Sequence, residues 1–480
     1  MSCPGTPRPG PKKREGKHSM RKWLTMTLIL TLLLSLTSVS AASEPSTVTL
    51  DVVFKAGTLP ADATATVEAM GATVVSTAPS IGFMTVTGPA SLITKLNSHK
   101  EILAASPQIE VQLNPAQMIQ ADVADANPGA ADLYQLYGWD IDQVTMDGAS
   151  WELGTGSHNT VVGIIDSGAS LAHPDLAANL LGGRNYVPDG PGGTVDPNDI
   201  DDRRGHGSHV AGSIAGNGRI LGVAPDMGFR AYRVFGASGG SPSDRIVQAI
   251  IDAVNDGVDV INMSLGGFDA VAGYTWTDPA TGEVYKYKDV ASFVGYKRAV
   301  QYAVNHGVVV VAAAGNDATN ISNPPEMTAL LNFEYGPLGY EFWGASHETP
   351  GTLPGVITVS ATGPDMSLAS YSNYGPGAID LSAPGGDFQR YPAPGWFLDM
   401  CVSSYTGTGY AFSAGTSMAT PKVAAVAALM IDQAKANGET LSPAQVVTKL
   451  QQSSVDMGKK GYDPAYGYGF LNAYYALGGN

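Results

Sequence analysis

The sequence predicts an α/β fold, a parallel sheet covered by helices on both faces, preceded by a small α+β unit. Two observations predict it: uninterrupted Val/Ile runs alternate with helical stretches after Tyr137, and short alternating segments precede residue 114. Continuous apolar strands are typical of parallel sheets that are buried on both faces. With 480 residues, the chain has material for more than one domain.

The first 41 residues are typical of a secretory signal peptide. Arg21 and Lys22 precede the apolar run Leu24–Leu36, and small residues follow up to Ala41. That run of 13 residues is too short to span a bilayer, which argues against a membrane anchor. We therefore predict a secreted protein, in the medium or the periplasm, with no membrane association after signal cleavage. Met20 is an alternative start.

Residues 42–113 are predicted to form a small unit of their own. Alternating apolar residues indicate strands, and apolar residues at helical spacing indicate helices. The predicted order is strand, helix, two strands, helix, strand, which is the split βαβ or ferredoxin-like arrangement. The predicted elements are Val48–Lys55, Asp62–Ala69, Thr73–Thr77, Gly82–Thr87, Ala90–His99 and Ile109–Leu113. The pattern alone fits any small α+β module.

Residues 114–136 are predicted to be a linker, because Ala, Asp, Asn and Gln dominate and apolar periodicity is weak. Residues 137–480 are predicted to form the larger domain. Its predicted strands are 160–165, 229–234, 258–263, 308–313 and 356–359, and its predicted helices are 206–215, 243–255, 293–305 and 417–435.

Charge and cysteine content narrow the function classes. The formal net charge is −16, and removal of residues 1–41 leaves about −22. A surface this acidic repels nucleic acid, so nucleic-acid binding is not expected. Cys3 leaves with the signal peptide, and Cys401 is then alone, so no intramolecular disulfide is expected. Cys401 lies in an apolar stretch and is predicted to be a buried packing residue rather than a catalytic thiol.

Three glycine-rich segments supply an acid, a base and a nucleophile. They are Asp166 in Val161–Gly168, His206 in Gly205–Gly212 and Ser417 in Gly415–Pro421. Asp166 ends a predicted strand, where ligands bind in open parallel sheets. His206 and Ser417 begin predicted helices, and a helix N-terminus favours a developing oxyanion. Each has a structural alternative: an acid caps a strand end, a serine caps a helix, and His206 pairs with His209 on a metal. The last lacks the acid of an HExxH motif.

Together the three segments resemble the subtilases, the subtilisin-like serine peptidases. The chain order Asp166, His206, Ser417 is the order known for subtilisin, and His173–Leu176 also matches the family pattern. The resemblance covers about residues 137–477 and implies a subtilisin-like fold and a serine endopeptidase. It assigns nucleophilic attack to Ser417, proton transfer to His206, and orientation of His206 to Asp166.

The resemblance also implies the rest of the cleft. Asn316 matches the family's oxyanion-hole asparagine, although an Asn after a strand is usually a turn former. Ser264, Leu265 and Gly266 resemble one wall of the primary specificity pocket. Ala313, Ala314 and Gly315 are expected opposite them, and the edge segment that pairs with an extended substrate is expected at Gly239, Gly240 and Ser241.

Residues 42–113 lie between a secretion signal and a subtilase-like domain. In this position the unit resembles the propeptide of the family. The resemblance implies a zymogen whose propeptide assists folding, inhibits the enzyme and is removed by self-cleavage in the linker. The expected partners are polypeptide substrates and this intramolecular inhibitor, and a monomer is expected. The segment Tyr466–Leu477 resembles the usual end of the catalytic domain, so no accessory domain is expected after it.

The sequence departs from the family pattern in three places. Lys422 and Ala425 stand where the family usually has His and Gly. The loop Ala215–Arg219 is shorter than the loop that binds a tight calcium in subtilisins, so that site is not expected. Insertions at about Asp269–Asp289 and Ala318–Thr349 border the expected cleft and leave the substrate preference open.

No cofactor is expected for catalysis, but structural calcium is an open alternative to a solvated acidic loop. Four acids precede His206 in one loop, and hard oxygen ligands suit calcium. They are Asp196, Asp199, Asp201 and Asp202.

Three other functions were weighed against a serine endopeptidase. An α/β-hydrolase esterase needs a His after its nucleophile, and no His follows Ser417. A sedolisin-type carboxyl peptidase would carry acids at the positions of His206 and Asn316, and this chain has no acid at either position. A secreted binding protein on a subtilase scaffold would be indicated by loss of a triad residue, but all three are present.

Overall fold

The computed structural model describes residues 47–113, 117–121 and 132–480, so the predicted signal peptide lies outside the described residues. The first described segment forms a four-stranded antiparallel sheet in the order β2-β3-β1-β4 with two helices. Its elements are β1 (Thr47–Phe54), α1 (Ala63–Ala69), β2 (Thr73–Ala78), β3 (Phe83–Pro89), α2 (Leu92–Ser98) and β4 (Ile102–Pro107).

The prediction that residues 109–113 form the last strand of this sheet was wrong. The fourth strand of the sheet is β4, and the segment predicted instead forms a separate short strand, β5 (Glu110–Gln112), which pairs elsewhere. The predicted linker also contains regular structure. It includes the strand β6 (Gln117–Ala121) and the helix α3 (Asp132–Tyr137), which is followed by α4 (Trp139–Thr145).

The larger part of the chain is built on a seven-stranded parallel sheet, which confirms the predicted fold class. Its strand order is β19-β18-β15-β11-β7-β9-β8. The elements that build it and cover it are β7 (Val161–Asp166), α5 (Pro174–Ala177), β8 (Leu180–Asn185), α6 (His206–Ala215), β9 (Gly228–Arg233), β10 (Gly240–Pro242), α7 (Ser243–Asn255) and β11 (Val260–Met263).

The second half of the chain adds the remaining strands of the large sheet and three small antiparallel sheets, one of which includes β6. The elements are β12 (Gly267–Ala270), β13 (Tyr274–Thr277), β14 (Val284–Tyr287), α8 (Ala291–Asn305), β15 (Val309–Ala313), α9 (Pro324–Tyr335), β16 (Tyr340–Phe342), β17 (Ser346–Thr349), β18 (Val356–Thr362), β19 (Leu381–Pro384), β20 (Cys401–Ser404), β21 (Tyr410–Ala414), α10 (Thr416–Ala436), α11 (Pro443–Ser453) and α12 (Ala473–Ala476).

Alternate residues of the sheet strands enter two different cores. In β15, Val309 and Val311 pack on the face covered by α6 and α10, whereas Val310 and Ala312 pack on the face covered by α7 and α8. Successive side chains of a strand point to opposite faces, and both faces are covered here. The uninterrupted valine run of this strand is therefore fully buried.

The N-terminal four-stranded sheet packs on α7 and α8. Phe83 and Ala104 belong to the same core as Tyr296 of α8. Arg298 of α8 donates from Nη1 to the carbonyl oxygens of Phe54 and Ile81, each at 2.9 Å. In the part of the chain that the structure describes, no helix combines the length and the apolar character needed to cross a bilayer.

Candidate active site

Asp166 and His206 form a buried hydrogen-bonded pair at the carboxyl end of β7. His206 Nδ1 lies 2.8 Å from Asp166 Oδ1 and 2.9 Å from Oδ2, and the two residues are 1% and 0% exposed. This contact fixes the imidazole so that Nε2 is the nitrogen left for chemistry. Among the described residues, His206 Nε2 has no hydrogen-bond partner.

The backbone around His206 depends on glycine. Gly205, the residue before α6, has φ +90°, and a Cβ there would lie 1.9 Å from the Tyr405 ring. Only glycine combines this left-handed conformation with so close an approach. The conformation turns the chain so that His206 becomes the first residue of α6.

Asp202 joins the segments that carry Asp166 and His206. It is 3% exposed, and Oδ1 accepts from Ser167 Oγ and from the backbone N–H of Gly205, each at 2.9 Å. Oδ2 accepts from Ser208 N at 2.8 Å and Ser208 Oγ at 2.7 Å. One carboxylate therefore joins the end of β7 to the first turn of α6, and it positions Asp166 relative to His206.

Ser417 is the second residue of α10 and is 5% exposed. Its Oγ donates to the carbonyl oxygen of Ser264 at 3.1 Å, and Ser264 Oγ donates to the Ser417 carbonyl at 2.8 Å. No hydrogen bond joins Ser417 Oγ to His206 in this structure. Catalytic hydrogen bonds are often absent or poorly aligned before a substrate is in place.

Asn316 follows β15 and lies beside the start of α10. Its Oδ1 accepts from both the backbone N–H and the Oγ1 of Thr416, each at 2.9 Å. Two donors on one atom identify that atom as the amide oxygen. The NH₂ group is then the amide's donor end, beside the residue that precedes Ser417.

The predicted edge segment is paired with the chain itself. Strand β10 forms an antiparallel ladder with β5, in which Gly240 opposes Gln112 and Ser241 opposes Val111. The N–H of Leu113 also donates to the carbonyl of Gly239 at 2.8 Å. The segment therefore accepts an antiparallel strand of the same chain, and its role in binding a separate extended substrate stays a prediction.

A second ladder involves the strand that leads into α10, which begins with Thr416 and Ser417. Strand β6 pairs antiparallel with β21, and Gln117 opposes Ala414, three residues before the serine. The two ladders place residues 110–112 and 117–121 against the elements that precede α7 and α10.

A cavity of about 330 Å³ opens beside Ser417 and Asn316. Most of the predicted pocket residues line it: Ser264, Leu265 and Gly266 on one side, and Ala313 and Gly315 on the other. Ala314 does not line the cavity, because its side chain is buried in the hydrophobic core.

The predicted calcium ligands do not converge. Asp196 Oδ1 accepts from Asn198 N at 3.0 Å, and Asp201 Oδ1 accepts from Leu171 N at 3.2 Å. Asp199 pairs with Arg203 at 2.5 Å, and Asp202 has the structural bonds described above. In residues 47–113, 117–121 and 132–480, no three His, Cys, Asp or Glu side chains are grouped to bind a metal. The calcium prediction therefore has no support in this loop.

His209 and Cys401 have packing roles. His209 Nε2 lies 3.1 Å from the Cys401 carbonyl oxygen, so this nitrogen contacts the backbone and not a metal. Burial, together with the charge of Lys422, lowers the pKa of His209 to about 3, which keeps the ring neutral. Cys401 is 0% exposed, and burial raises the pKa of its thiol well above the usual range.

The sequence interpretation missed the acidic residues of the cavity. Their side chains line it beside the predicted walls: Asp269, Asp317, Glu334 and Glu348. Three of them lie in or at the ends of the two insertions that were noted as bordering the cleft, and Asp317 directly follows Asn316. The insertions therefore indicated where additional pocket residues would come from, but no local pattern showed which of their residues line the pocket.

Comparisons with known proteins agree with this geometry. The model of the subtilase family matches residues 157–469. The nisin leader peptide-processing serine protease NisP of Lactococcus lactis is 37% identical over 314 residues, which are 62% of this chain and 44% of that protein. The epidermin leader peptide-processing serine protease EpiP of Staphylococcus epidermidis is 30% identical over 365 residues, 73% of this chain and 75% of that protein.

A solved structure is similar over almost the whole chain. The crystal structure of the epidermin leader peptide processing serine protease from Staphylococcus aureus superposes with a TM-score of 0.74 at 26% identity. The similarity covers 90% of this chain and 98% of that one.

Proposed function

The chain belongs to the subtilase family of serine endopeptidases, and we propose that it hydrolyses peptide bonds through Asp166, His206 and Ser417. In this mechanism Ser417 Oγ attacks the scissile carbonyl carbon while His206 Nε2 takes the hydroxyl proton. Asp166 holds the imidazole at Nδ1 and stabilises its charged form. His206 then gives the proton to the leaving amine, and water hydrolyses the acyl-enzyme. The 2.8 Å contact between Asp166 and His206 supports these roles.

Asn316 would donate to the oxyanion of the tetrahedral intermediate together with the backbone N–H of Ser417. A preorganised donor in a buried site stabilises charge only as it develops, so it acts mainly on turnover. The fixation of the Asn316 amide oxygen by Thr416 supports this role, because it sets which end of the amide can donate.

Replacement of Asn316 by Ala is expected to lower kcat by about 10²–10³-fold with little change in KM, a range measured for loss of this kind of donor in subtilisin. Steady-state hydrolysis of a fluorogenic peptide measures both constants. Asn320→Ala, a change of the same type in the loop that follows, serves as control. A loss confined to KM would contradict the oxyanion assignment.

We further propose that the protein is made as a secreted zymogen that cleaves itself between β5 and β6. The observation that supports this is the pair of ladders. Strand β5 pairs with β10, and Leu113 just after β5 lines the same cavity as Ser417, while β6 pairs with β21, which ends three residues before Ser417. A peptide held by antiparallel strand addition next to the nucleophile has the arrangement of a substrate. We therefore propose that the maturation bond lies between residues 113 and 117 and that residues 42–113 are the inhibitory propeptide.

Self-cleavage can be tested on the precursor from Glu44 onward. We expect intact mass and N-terminal sequencing to show one cut between residues 113 and 117, and a serine-directed fluorophosphonate to prevent it. A cut outside this segment would contradict the assignment of the two ladders. A precursor that stays intact and does not label at Ser417 would contradict the enzyme itself.

The names of the two relatives also suggest a substrate type. Both are described as leader peptide-processing proteases, and a leader segment can be presented in the extended form that β10 accepts. We propose that this chain likewise removes extended leader segments from peptides. The test is the ratio of cleavage of an unstructured leader-fusion peptide to cleavage of folded globular proteins, and equal cleavage of the two would contradict the proposal.

Two carboxyls, those of Asp51 and Asp244, lie at the contact between the proposed propeptide and the catalytic part. Asp244 of α7 accepts from Ser76 Oγ at 2.8 Å and from Gln108 Nε2 at 3.0 Å. Asp51 of β1 is 0% exposed and accepts from Thr85 Oγ1 at 3.0 Å, from Gln108 Nε2 at 3.1 Å and from the Ser243 hydroxyl of α7. Burial, with a contribution from the charge of Asp244, raises its pKa to about 7.

The Asp51 carboxyl makes release of the propeptide pH-dependent. In the separated propeptide Asp51 would titrate near its ordinary value of about 4, so the complex holds a proton that the free form loses. Binding is then strongest below about pH 4, weakens by up to tenfold per pH unit as the pH rises towards 7, and is constant above that. We expect size-exclusion chromatography of the cleaved complex to show more free propeptide at pH 8 than at pH 5. Asp51→Asn should flatten the dependence, and an unchanged slope in that variant would rule out Asp51 as its source.

A further inference from the structure

The cavity beside Ser417 is lined by four groups of residues. The predicted pocket segments form two sides, and the insertions contribute residues from β12, α9 and β17. Ser292 and Tyr296 of α8 add a further part of the wall, and β5 with its neighbours covers part of the opening. Thr416, Ser417 and Asn316 lie at its catalytic end. The cavity is therefore placed to receive the side chain of the residue whose carbonyl is attacked.

The lining is strongly acidic. Four carboxylates contribute to it, from Asp269, Asp317, Glu334 and Glu348, and none of the described lining residues is Lys, Arg or His. Glu348 is 1% exposed and Asp269 is 7% exposed. Buried carboxylates without an opposite charge are costly, which points to a cation that is supplied from outside.

Glu348 is the carboxylate with the least satisfied oxygen. Asp269 Oδ1 accepts from Ser292 Oγ at 2.9 Å, and Asp317 Oδ2 accepts from Asn373 Nδ2 at 3.0 Å. Glu348 Oε1 has no hydrogen-bond partner among the described residues. Burial, with the charges of Asp317 and Asp269, raises the pKa of Glu348 well above its usual range. A bound cation would supply the missing partner and reverse this repulsion.

We propose that this cavity is a specificity pocket for a basic side chain, Arg or Lys, on the acyl side of the cleaved bond, with Glu348 as its charge partner. The inference rests on the proposed function, because it assigns the substrate class of that same site. The aliphatic stem of the basic side chain would pass Leu265 and Ala313, and its charged head would meet the carboxylates.

A metal ion fits the arrangement less well. In the part of the chain that the structure describes, no three acidic or other metal-ligating side chains converge on one point. The carboxylates instead surround a space of about 330 Å³, which is far larger than an ion. A guanidinium carries five N–H donors and an ammonium three, so either can contact several separated carboxylates at once.

The chain itself offers this pocket no preferred residue. Residues 101–183, which include the proposed maturation site, contain no Lys or Arg. Self-cleavage would therefore use a non-preferred residue, which an intramolecular reaction tolerates because the bond is held next to the nucleophile. Substrates cleaved in trans lack that advantage and would depend on the pocket.

The test uses the matured protein and four fluorogenic peptides that differ only at the residue before the cleaved bond: Arg, Lys, citrulline and Leu. Citrulline has the shape of Arg without its charge. We expect kcat/KM for Arg to exceed that for citrulline by about 100-fold or more, because a buried charge pair is lost in the neutral peptide. The Arg-to-Lys ratio distinguishes the two cations. Equal rates for Arg and citrulline, or a preference for Leu, would overturn the inference.

Glu348→Gln then tests the residue. We expect it to lower the Arg-to-citrulline ratio by about 10-fold or more, while Glu439→Gln, an exposed acid just past the far end of α10, keeps the wild-type ratio. Asp269→Asn is the second variant and should lower the ratio less, because Ser292 already satisfies one of its oxygens. A wild-type ratio in Glu348→Gln would overturn the role of Glu348.

Fluorophosphonate labelling of Ser417 separates the two levels of the proposal. If Ser417 is labelled and the enzyme prefers the Leu peptide, the proposed function is supported and the basic pocket is overturned. Failure to label and to cleave any of the four peptides would instead remove the proposed function. The wild-type panel decides the pocket even if a variant fails to fold.

Discussion

Replacing Ser417 by Ala is expected to lower kcat by about 10⁶-fold, the size of the loss measured when the serine or histidine of the subtilisin triad is removed. The alanine cannot form an acyl-enzyme, so only binding and oxyanion stabilisation remain. In the precursor the same change should leave the bond between residues 113 and 117 intact. Single-turnover hydrolysis with purified protein of known total concentration measures the first effect, and intact mass measures the second.

The histidine provides the matched comparison for this prediction. His206→Ala should be as inactive as Ser417→Ala, and the double variant no worse than either, because the two residues act as one unit. Ser367→Ala, a change at an exposed serine, should keep wild-type activity. Hydrolysis by His206→Ala within 100-fold of wild type would contradict the assignment of the base.

The second large effect is on stability and concerns Lys422 of α10. Its Nζ lies 2.8 Å from Asp140 Oδ2 of α4, an ion-pair contact without hydrogen-bond geometry, and 2.9 Å from the Met418 carbonyl oxygen. The two residues are 0% and 1% exposed. Burial opposes the charge of Lys422, but the Asp140 carboxylate and the Cys401 side chain together outweigh it and raise the pKa of the lysine.

Lys422→Met is therefore expected to lower the free energy of unfolding by about 3–5 kcal/mol, because it leaves the Asp140 carboxylate buried without a partner. Asp140→Leu should cost a similar amount for the opposite reason. The double variant should recover most of the loss, since a buried ion pair replaced by apolar residues is often neutral.

Denaturant unfolding in a Ser417→Ala background, where autolysis cannot occur, measures all three variants. Lys435→Met, a partly exposed lysine of the same helix paired with Asp259, is the control and should change stability by about 1 kcal/mol or less. Additive losses in the double variant would show that Lys422 and Asp140 act independently.

The fold class was predictable because the sheet strands are short valine and isoleucine runs and the helices have clear starts. Helices α6 and α7 begin and end at the predicted residues, where glycine, proline and serine fix the boundaries. Strand β5 was assigned to the wrong sheet because its partner, β10, is far along the chain. Pairing between distant segments leaves no mark in the local alternation of apolar residues.

The residues proposed for catalysis could be singled out in the sequence for a reason that does not apply to the acids of the pocket. Each lies in a glycine-rich segment, and a backbone conformation that requires glycine, as at Gly205, can be recognised from the neighbouring sequence alone. The acids of the pocket come from separate elements, and β12 and β17 bring Asp269 and Glu348 near each other by antiparallel pairing. That pairing depends on the tertiary fold and cannot be read from the local sequence. The contacts of Asp202 also depend on the tertiary fold. Its position near His206 suggested calcium, but its oxygens accept from backbone and hydroxyl donors.

The wall that carries Glu348 has a consequence for how such enzymes diverge. Strand β17 pairs with β12 in a two-stranded sheet, whereas Asp166 ends a strand of the seven-stranded sheet, and His206 and Ser417 begin helices packed on it. Mutation and selection can therefore act on peptide choice in one part of the chain without disturbing bond cleavage in another. After gene duplication, a few changes in the two insertions would give one copy a new target while its reaction chemistry is inherited intact.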